Sequence, residues 1–168
     1  MIIILQTRSG LEMKIRCARE EDMGGINSLL CQVLMVHHNG RPDLFKKETK
    51  KYTDEELRAL IHDDNRPIFV CTDEAESILG YAFCVFQQHK DDNILTDIRS
   101  LYIDDLCVDE TRRGQHIGKK LYEHVLDYAK KQGCYNVTLN VWACNEGARR
   151  FYESCGLVEQ KIGMEKIL

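Results

Sequence analysis

Residues Ser100–Lys120 read SLYIDDLCVDETRRGQHIGKK. An apolar run from Leu101 to Val108 stops at Asp109-Glu110-Thr111. The basic, glycine-punctuated stretch Arg112-Arg113-Gly114-Gln115-His116-Ile117-Gly118 then leads at once into a helical pattern. A strand turning into a helix N-terminus in this way offers backbone N–H groups that have no intrahelical acceptor, at the positive end of the helix dipole. The chemistry this turn favours is capture of a phosphate or pyrophosphate. Arg112 or Arg113 would add charge to it.

The elements that must position this turn can be read from periodicity. Lys14–Ala18 alternates as a short strand. A helix follows on the stripe Ile26, Leu29, Leu30, Val33 and Leu34, ending around Val36 and leaving His37-His38-Asn39-Gly40 as loop. Thr53 and Glu56 form a capping box that opens a second helix through Leu57, Leu60 and Ile61. Ile68–Thr72 and Ile78–Gln88 read as a hairpin, and Ser100–Val108 as the next strand. The helix after the glycine turn carries Ile117, Leu121, Val125, Tyr128 and Ala129 on one face and ends at Gly133. Asn136–Trp142 is a strand, Asn145 caps a helix closed by Gly156, and Leu157–Leu168 is expected as one or two further strands.

Three antiparallel strands followed by a strand–helix–strand crossover predict a single-domain α/β fold. Its sheet is mixed and mostly antiparallel, with helices on both faces. Ligands of such sheets sit at the carboxyl ends of central strands, which is where the glycine turn lies. Residues 1–12 are set apart as a lead or arm, the alternative being an edge strand, and residues 13–168 form the domain.

The 168 residues fit one domain with a sizeable core. A net charge of −4 excludes a sequence-independent nucleic-acid or membrane-surface binder, and no apolar run is long enough to span a bilayer. None of the eight cysteines is paired with the C-x-x-C spacing of a zinc or redox site, and no metal is expected. With no secretory signal in the sequence, reduced thiols in a cytoplasm are the natural reading.

Three glycine motifs compete for the turn. A Walker A loop needs four residues between its glycines and then Lys-Ser/Thr. Gly114 and Gly118 have three between them and are followed by Lys119-Lys120. A Rossmann G-x-G-x-x-G is not present either. What remains, Arg113-Gly114-Gln115-His116-Ile117-Gly118, resembles the signature of the GNAT family of acetyl-CoA-dependent N-acetyltransferases, with His116 standing where that family has its middle glycine. The segment Leu139–Leu157, LNVWACNEGARRFYESCGL, is similar to the second half of the same family pattern. The resemblance is specific over 100–158, looser over 14–99 and absent over 1–12.

The resemblance implies a GNAT-like fold and direct transfer of an acetyl group from acetyl-CoA, the cosubstrate, to an amine in one ternary complex. The pyrophosphate would take backbone N–H groups of Gln115–Lys119. The pantetheine arm would add to the edge of the strand at Leu106 and Val108. A strand N–H near Cys107 or Val108 would stabilise the oxyanion. Tyr152 falls where the family places its general acid, and a phenol with an ordinary pKa of about 10 suits that task; by pattern alone it is a core aromatic beside Phe151. Asn145 caps its helix and by resemblance also bonds the coenzyme.

The amine must lose a proton, and Asp104 and Asp105 precede the acetyl site. Strand alternation predicts that one of the two faces the cleft. His37 and His38 are weaker candidates, and Arg41, Asp43 and Phe45 border the acceptor on position alone. Cys107 as an acyl-accepting nucleophile is disfavoured by strand burial and the lack of a neighbouring His. The acceptor is a small-molecule or protein amine, and the overall acidity favours a cationic one. The family also leaves a homodimer open. The competing reading is an acyl-CoA-binding regulatory module of the same fold without turnover.

Overall fold

The computed structural model describes residues 3–6, 12–47 and 49–168. In chain order these form β1 (Ile3–Gln6), β2 (Glu12–Cys17), α1 (Met23–Gly40), α2 (Asp54–Ile61), β3 (Ile68–Thr72), β4 (Ile78–Gln88), β5 (Arg99–Val108), α3 (Ile117–Lys131), β6 (Asn136–Leu139) and α4 (Glu146–Ser154). One sheet holds the strands in the order β1-β2-β3-β4-β5-β6. Every neighbouring pair is antiparallel except β5 and β6, which the α3 crossover makes parallel.

Each face of the sheet carries its own apolar layer. On one, Met13, Ile15, Phe69, Leu101 and Ile103 meet Ile117, Leu121, Val125 and Ala129 of α3, with Phe151 and Tyr152 of α4 against them. On the other, Val70, Tyr81, Phe83 and Cys107 meet Ile26, Leu29 and Leu30 of α1 and Leu57 of α2. Period-2 strands between amphipathic helices bury both faces at once. The Thr53–Glu56 capping box forms as expected and starts α2.

Four boundaries differ from the sequence reading. Helix α1 runs on to Gly40, so His37 and His38 lie in its last turn rather than in a loop. Arg41 N–H bonds His37 C=O at 2.8 Å, and Pro42 then stops the helix. Strand β6 ends at Leu139 rather than Trp142, because β5 stops pairing with it there. Residues 157–168 form no strand; Leu157 packs against the α3 layer, but Val158, Ile162, Met164, Ile167 and Leu168 are exposed. At the other end, Ile3–Gln6 is an edge strand on β2, the alternative given for the lead, while residues 1, 2 and 7–11 lie outside the described residues.

Candidate active site

The site begins where β5 and β6 part. Strand β5 pairs with β4 along its whole length, from Arg99 opposite Gln88 to Val108 opposite Gly80. It pairs with β6 only over Ser100–Ile103. From Asp104 onward its second edge is open. Asp109 N–H bonds Leu79 C=O of β4 at 3.0 Å, so alternation directs the Cys107 backbone toward β4 and turns the N–H and C=O groups of Leu106 and Val108 outward. Of the two oxyanion candidates this leaves the Val108 N–H at the open edge.

A bulge sits at the point of parting. Phe83 lies opposite Asp105 and Cys84 opposite Ile103, so Asp104 has no partner. One extra residue inverts the alternation beyond it. Leu101 and Ile103 face the α3 layer, whereas Cys107 faces the α1 layer. The expectation that one of Asp104 and Asp105 faces the cleft is corrected here. Both carboxylates reach one ammonium, Lys51 Nζ lying 3.0 Å from Asp104 Oδ2 and 3.5 Å from Asp105 Oδ2.

Asp105 is the deeper of the two, its side chain 8% exposed against 31% for Asp104. It accepts a hydrogen bond from Tyr81 Oη at 3.1 Å. Burial raises its carboxyl above the ordinary carboxylate range, with Lys51 and Tyr81 pulling the other way. Burial would lower Lys51, yet the two carboxylates more than offset it and hold the ammonium charged. Tyr52 Oη donates to Asp104 Oδ2 at 3.4 Å. The His37 imidazole is lowered by burial and senses both Asp105 and Lys51, so it is neutral at pH 7 beside the pair.

Tyr152 approaches from the opposite layer. Its ring meets Phe151 at 5.0 Å and Tyr122 at 6.3 Å. Burial first, then the nearby Asp105 charge, pushes its phenol up, so the hydroxyl keeps its proton well above neutrality. A protonated phenol and a buried carboxylate therefore come from opposite faces of the sheet and sense each other at the split.

The glycine turn closes the far end of the open edge. Asp109 accepts from Thr111 N–H at 2.8 Å, Gly114 takes φ +80° and His116 takes φ 61°. The first α3 bond runs from Lys120 N–H to His116 C=O at 3.0 Å, leaving the N–H groups of Ile117, Gly118 and Lys119 outside the helical ladder. His116 is exposed and makes no side-chain cap bond. It fills the left-handed position that glycine adopts freely, at about 1 kcal/mol. The Ile117 side chain is core, so its backbone alone faces the turn. A Cβ on Gly118 would lie 3.4 Å from Val108 Cγ2 and 3.5 Å from Phe151 Cζ, which measures how closely α3 packs against β5 and α4. Arg112 is half-buried, and Arg113, Gly114 and Lys119 are exposed around the turn. Asn145 Oδ1 accepts from Ala148 N–H at 3.1 Å, so capping occupies that oxygen.

The remaining candidates build a wall. His37, Phe45 and Trp142 form a ring series, with centroids 4.9 Å and 5.2 Å apart. His38 Nδ1 bonds Phe45 C=O at 2.8 Å, a structural role. Arg41 is taken up by Asp43 and Glu165. Cys107 is buried, its Sγ 3.7 Å from Leu29 C=O, and burial pushes its thiol up to about 12. That is an inert thiol rather than a nucleophile. Sequence reasoning missed Lys51, Tyr52 and Tyr81. Tyr81 lies diagonal to Asp105 and on its face only because of the bulge at Asp104, which the sequence does not mark; Lys51 and Tyr52 lie in irregular chain that carries no pattern.

A parallel pair of strands that splits around a buried carboxylate, with a phosphate-type turn at one end, makes a cleft suited to an extended, phosphate-bearing ligand. The acetyltransferase (GNAT) family model matches residues 34–157, and the chain belongs to that family. It is similar to glucosamine 6-phosphate N-acetyltransferase of Arabidopsis thaliana, 40% identical over 39% of this chain and 42% of that protein. It is 32% identical to glucosamine 6-phosphate N-acetyltransferase 1 of Oryza sativa subsp. japonica, over 66% of this chain and 62% of that one. The chain thus spans about half the length of these relatives. Among solved structures, a mutant of the BH1408 protein from Bacillus halodurans superposes with a TM-score of 0.88 at 32% identity, covering 92% of this chain and 98% of that one. No helix among the described residues is long and apolar enough to cross a membrane.

Proposed function

We propose that the protein transfers the acetyl group of acetyl-CoA directly to a primary amine, with Asp105 as general base and Tyr152 as general acid. The observation that carries this reading is the split of β5 from β6 after Ile103, which leaves an open strand edge running from the buried Asp105 to the glycine turn, with Tyr152 sensing the Asp105 charge from the opposite layer. The residues fit the cosubstrate. The Leu106 backbone and the Val108 C=O would bond the pantetheine amides as an added strand does, and the N–H groups of Ile117, Gly118 and Lys119 would hold the pyrophosphate with Arg112 or Arg113. Acetyl-CoA supplies an activated acyl carbon and a thiolate leaving group. Asp105 takes the proton of the attacking amine, the Val108 N–H stabilises the developing oxyanion, and Tyr152 protonates the departing sulfur. All eight cysteines are free thiols, which supports a cytoplasmic setting.

The test is consumption of acetyl-CoA against a panel of amines, followed across pH. Transfer predicts thiol release with at least one amine. Protonated Asp105 cannot accept a proton, and burial favours its protonated form. The acid limb of kcat/KM, which reports the free enzyme, should therefore lie above the ordinary carboxylate value of about 4. Coenzyme binding without turnover across the panel would identify a regulatory module instead.

A further inference from the structure

We infer that Lys51 occupies the ammonium subsite of the acceptor, and that the acceptor which displaces it is a linear alkylammonium rather than a phosphorylated amino sugar. The inference rests on the transfer reading above and specifies its substrate. The Lys51 ammonium is already placed on the two carboxylates that an acceptor nitrogen must reach, at 3.0 Å and 3.5 Å.

Lys51 is also able to leave. It comes from the irregular segment between α1 and α2, and its side chain is 34% exposed, whereas Asp105 is fixed in the sheet at 8%. Exchanging one ammonium for another spares the buried Asp105 the loss of its cationic partner, which would be costly. The surface beside the ammonium suits an alkylammonium. Lys51 Nζ lies 5.3 Å from the ring centroid of the half-buried Tyr52, which itself stacks on the buried Phe83 at 5.9 Å.

A phosphate is poorly served in the same place. It would meet Asp104 and Asp105, and Arg41, the guanidinium of the adjoining loop, is already committed to Asp43 and Glu165. The wall of His37, Phe45 and Trp142 likewise suits an apolar or cationic chain better than a dianion.

The experiment is calorimetric titration of n-butylamine, the lysine side chain without its backbone, into the protein saturated with coenzyme A. Wild type is compared with Lys51→Met, which keeps the stem and removes the charge, and with Lys51→Arg. Removing the internal competitor should tighten butylamine binding roughly two- to fivefold, about the worth of a partly exposed ion pair. Lys51→Arg, whose planar fork grips carboxylates more firmly, should weaken it. Should Lys51→Met fail to fold, the arginine variant alone carries the test. Binding that is unchanged or weaker in Lys51→Met, binding as tight or tighter in Lys51→Arg, or glucosamine 6-phosphate binding wild type better than butylamine, would overturn the assignment. A turnover assay with the same amine separates the two readings. Tighter binding without thiol release would keep the Lys51 subsite and sink acetyl transfer.

Discussion

Replacing Tyr152 with phenylalanine removes one hydroxyl and leaves the ring. The contacts with Phe151 at 5.0 Å and Tyr122 at 6.3 Å are made by ring carbons and persist, so stability should change by no more than about 1 kcal/mol. The coenzyme sites at β5 and the α3 turn are untouched, so affinity for coenzyme A should stay within about twofold. A positioned general acid contributes on the order of 10²- to 10⁴-fold, or about 3–5 kcal/mol of barrier. The expected loss is of that size and falls in kcat at saturating acetyl-CoA and amine, read as thiol release. Burial and the Asp105 charge raise the phenol in the folded protein, so wild-type kcat should show no alkaline decline from this group until the pH passes its ordinary value of about 10. The sign for stability agrees: this group's contribution is complete below the unfolded value and is lost as pH rises through the raised folded one. A kcat within about threefold of wild type would refute Tyr152 as the acid. A kcat loss matched by lost coenzyme affinity would mean that the hydroxyl serves binding.

Two further substitutions probe the cleft. His116→Gly places the unstrained residue at φ 61° and should raise the melting temperature by about 2–4 °C, the shift that roughly 1 kcal/mol gives at this size; an unchanged or lower value in a thermal melt would show that the imidazole is stabilising. Cys107→Ala removes a buried thiol held up to about 12 and should leave kcat within about twofold of wild type. Recovery of an acetylated Cys107 after incubation with acetyl-CoA alone, by mass spectrometry, would show transfer through the enzyme rather than directly.

The order of elements was readable because period-2 and period-3.6 stripes bound the core layers. The turn at Arg113–Gly118 was readable because its glycine spacing excludes the nucleotide loops. Both follow from local chemistry. The failures share a different cause. Nothing within Met23–Gly40 says whether Asn39-Gly40 continues a helix; the answer lies in Pro42 and in the docking of Phe45 against His37. Residues 157–168 alternate well enough for a strand, but pairing depends on a partner edge that sequence cannot supply. Lys51 enters the cleft from irregular chain, through a contact with residues 53 and 54 positions away.

The carboxylates are the most instructive case. Perfect alternation along SLYIDDLCV would give Asp105 the same face as Leu101 and Ile103, in the apolar layer under α3, where an unpaired carboxylate is costly. The bulge at Asp104 resolves that conflict by turning everything beyond it over. Asp105 then reaches Tyr81 and Lys51, and Cys107 takes the core position under α1. A bulge also increases local twist, and β5 stops pairing with β6 immediately before it. One extra residue thus accounts both for the open edge that could receive a pantetheine arm and for the carboxylate beside it. The two apolar layers demand opposite registers on either side of Asp104, and the site occupies the point where those demands meet.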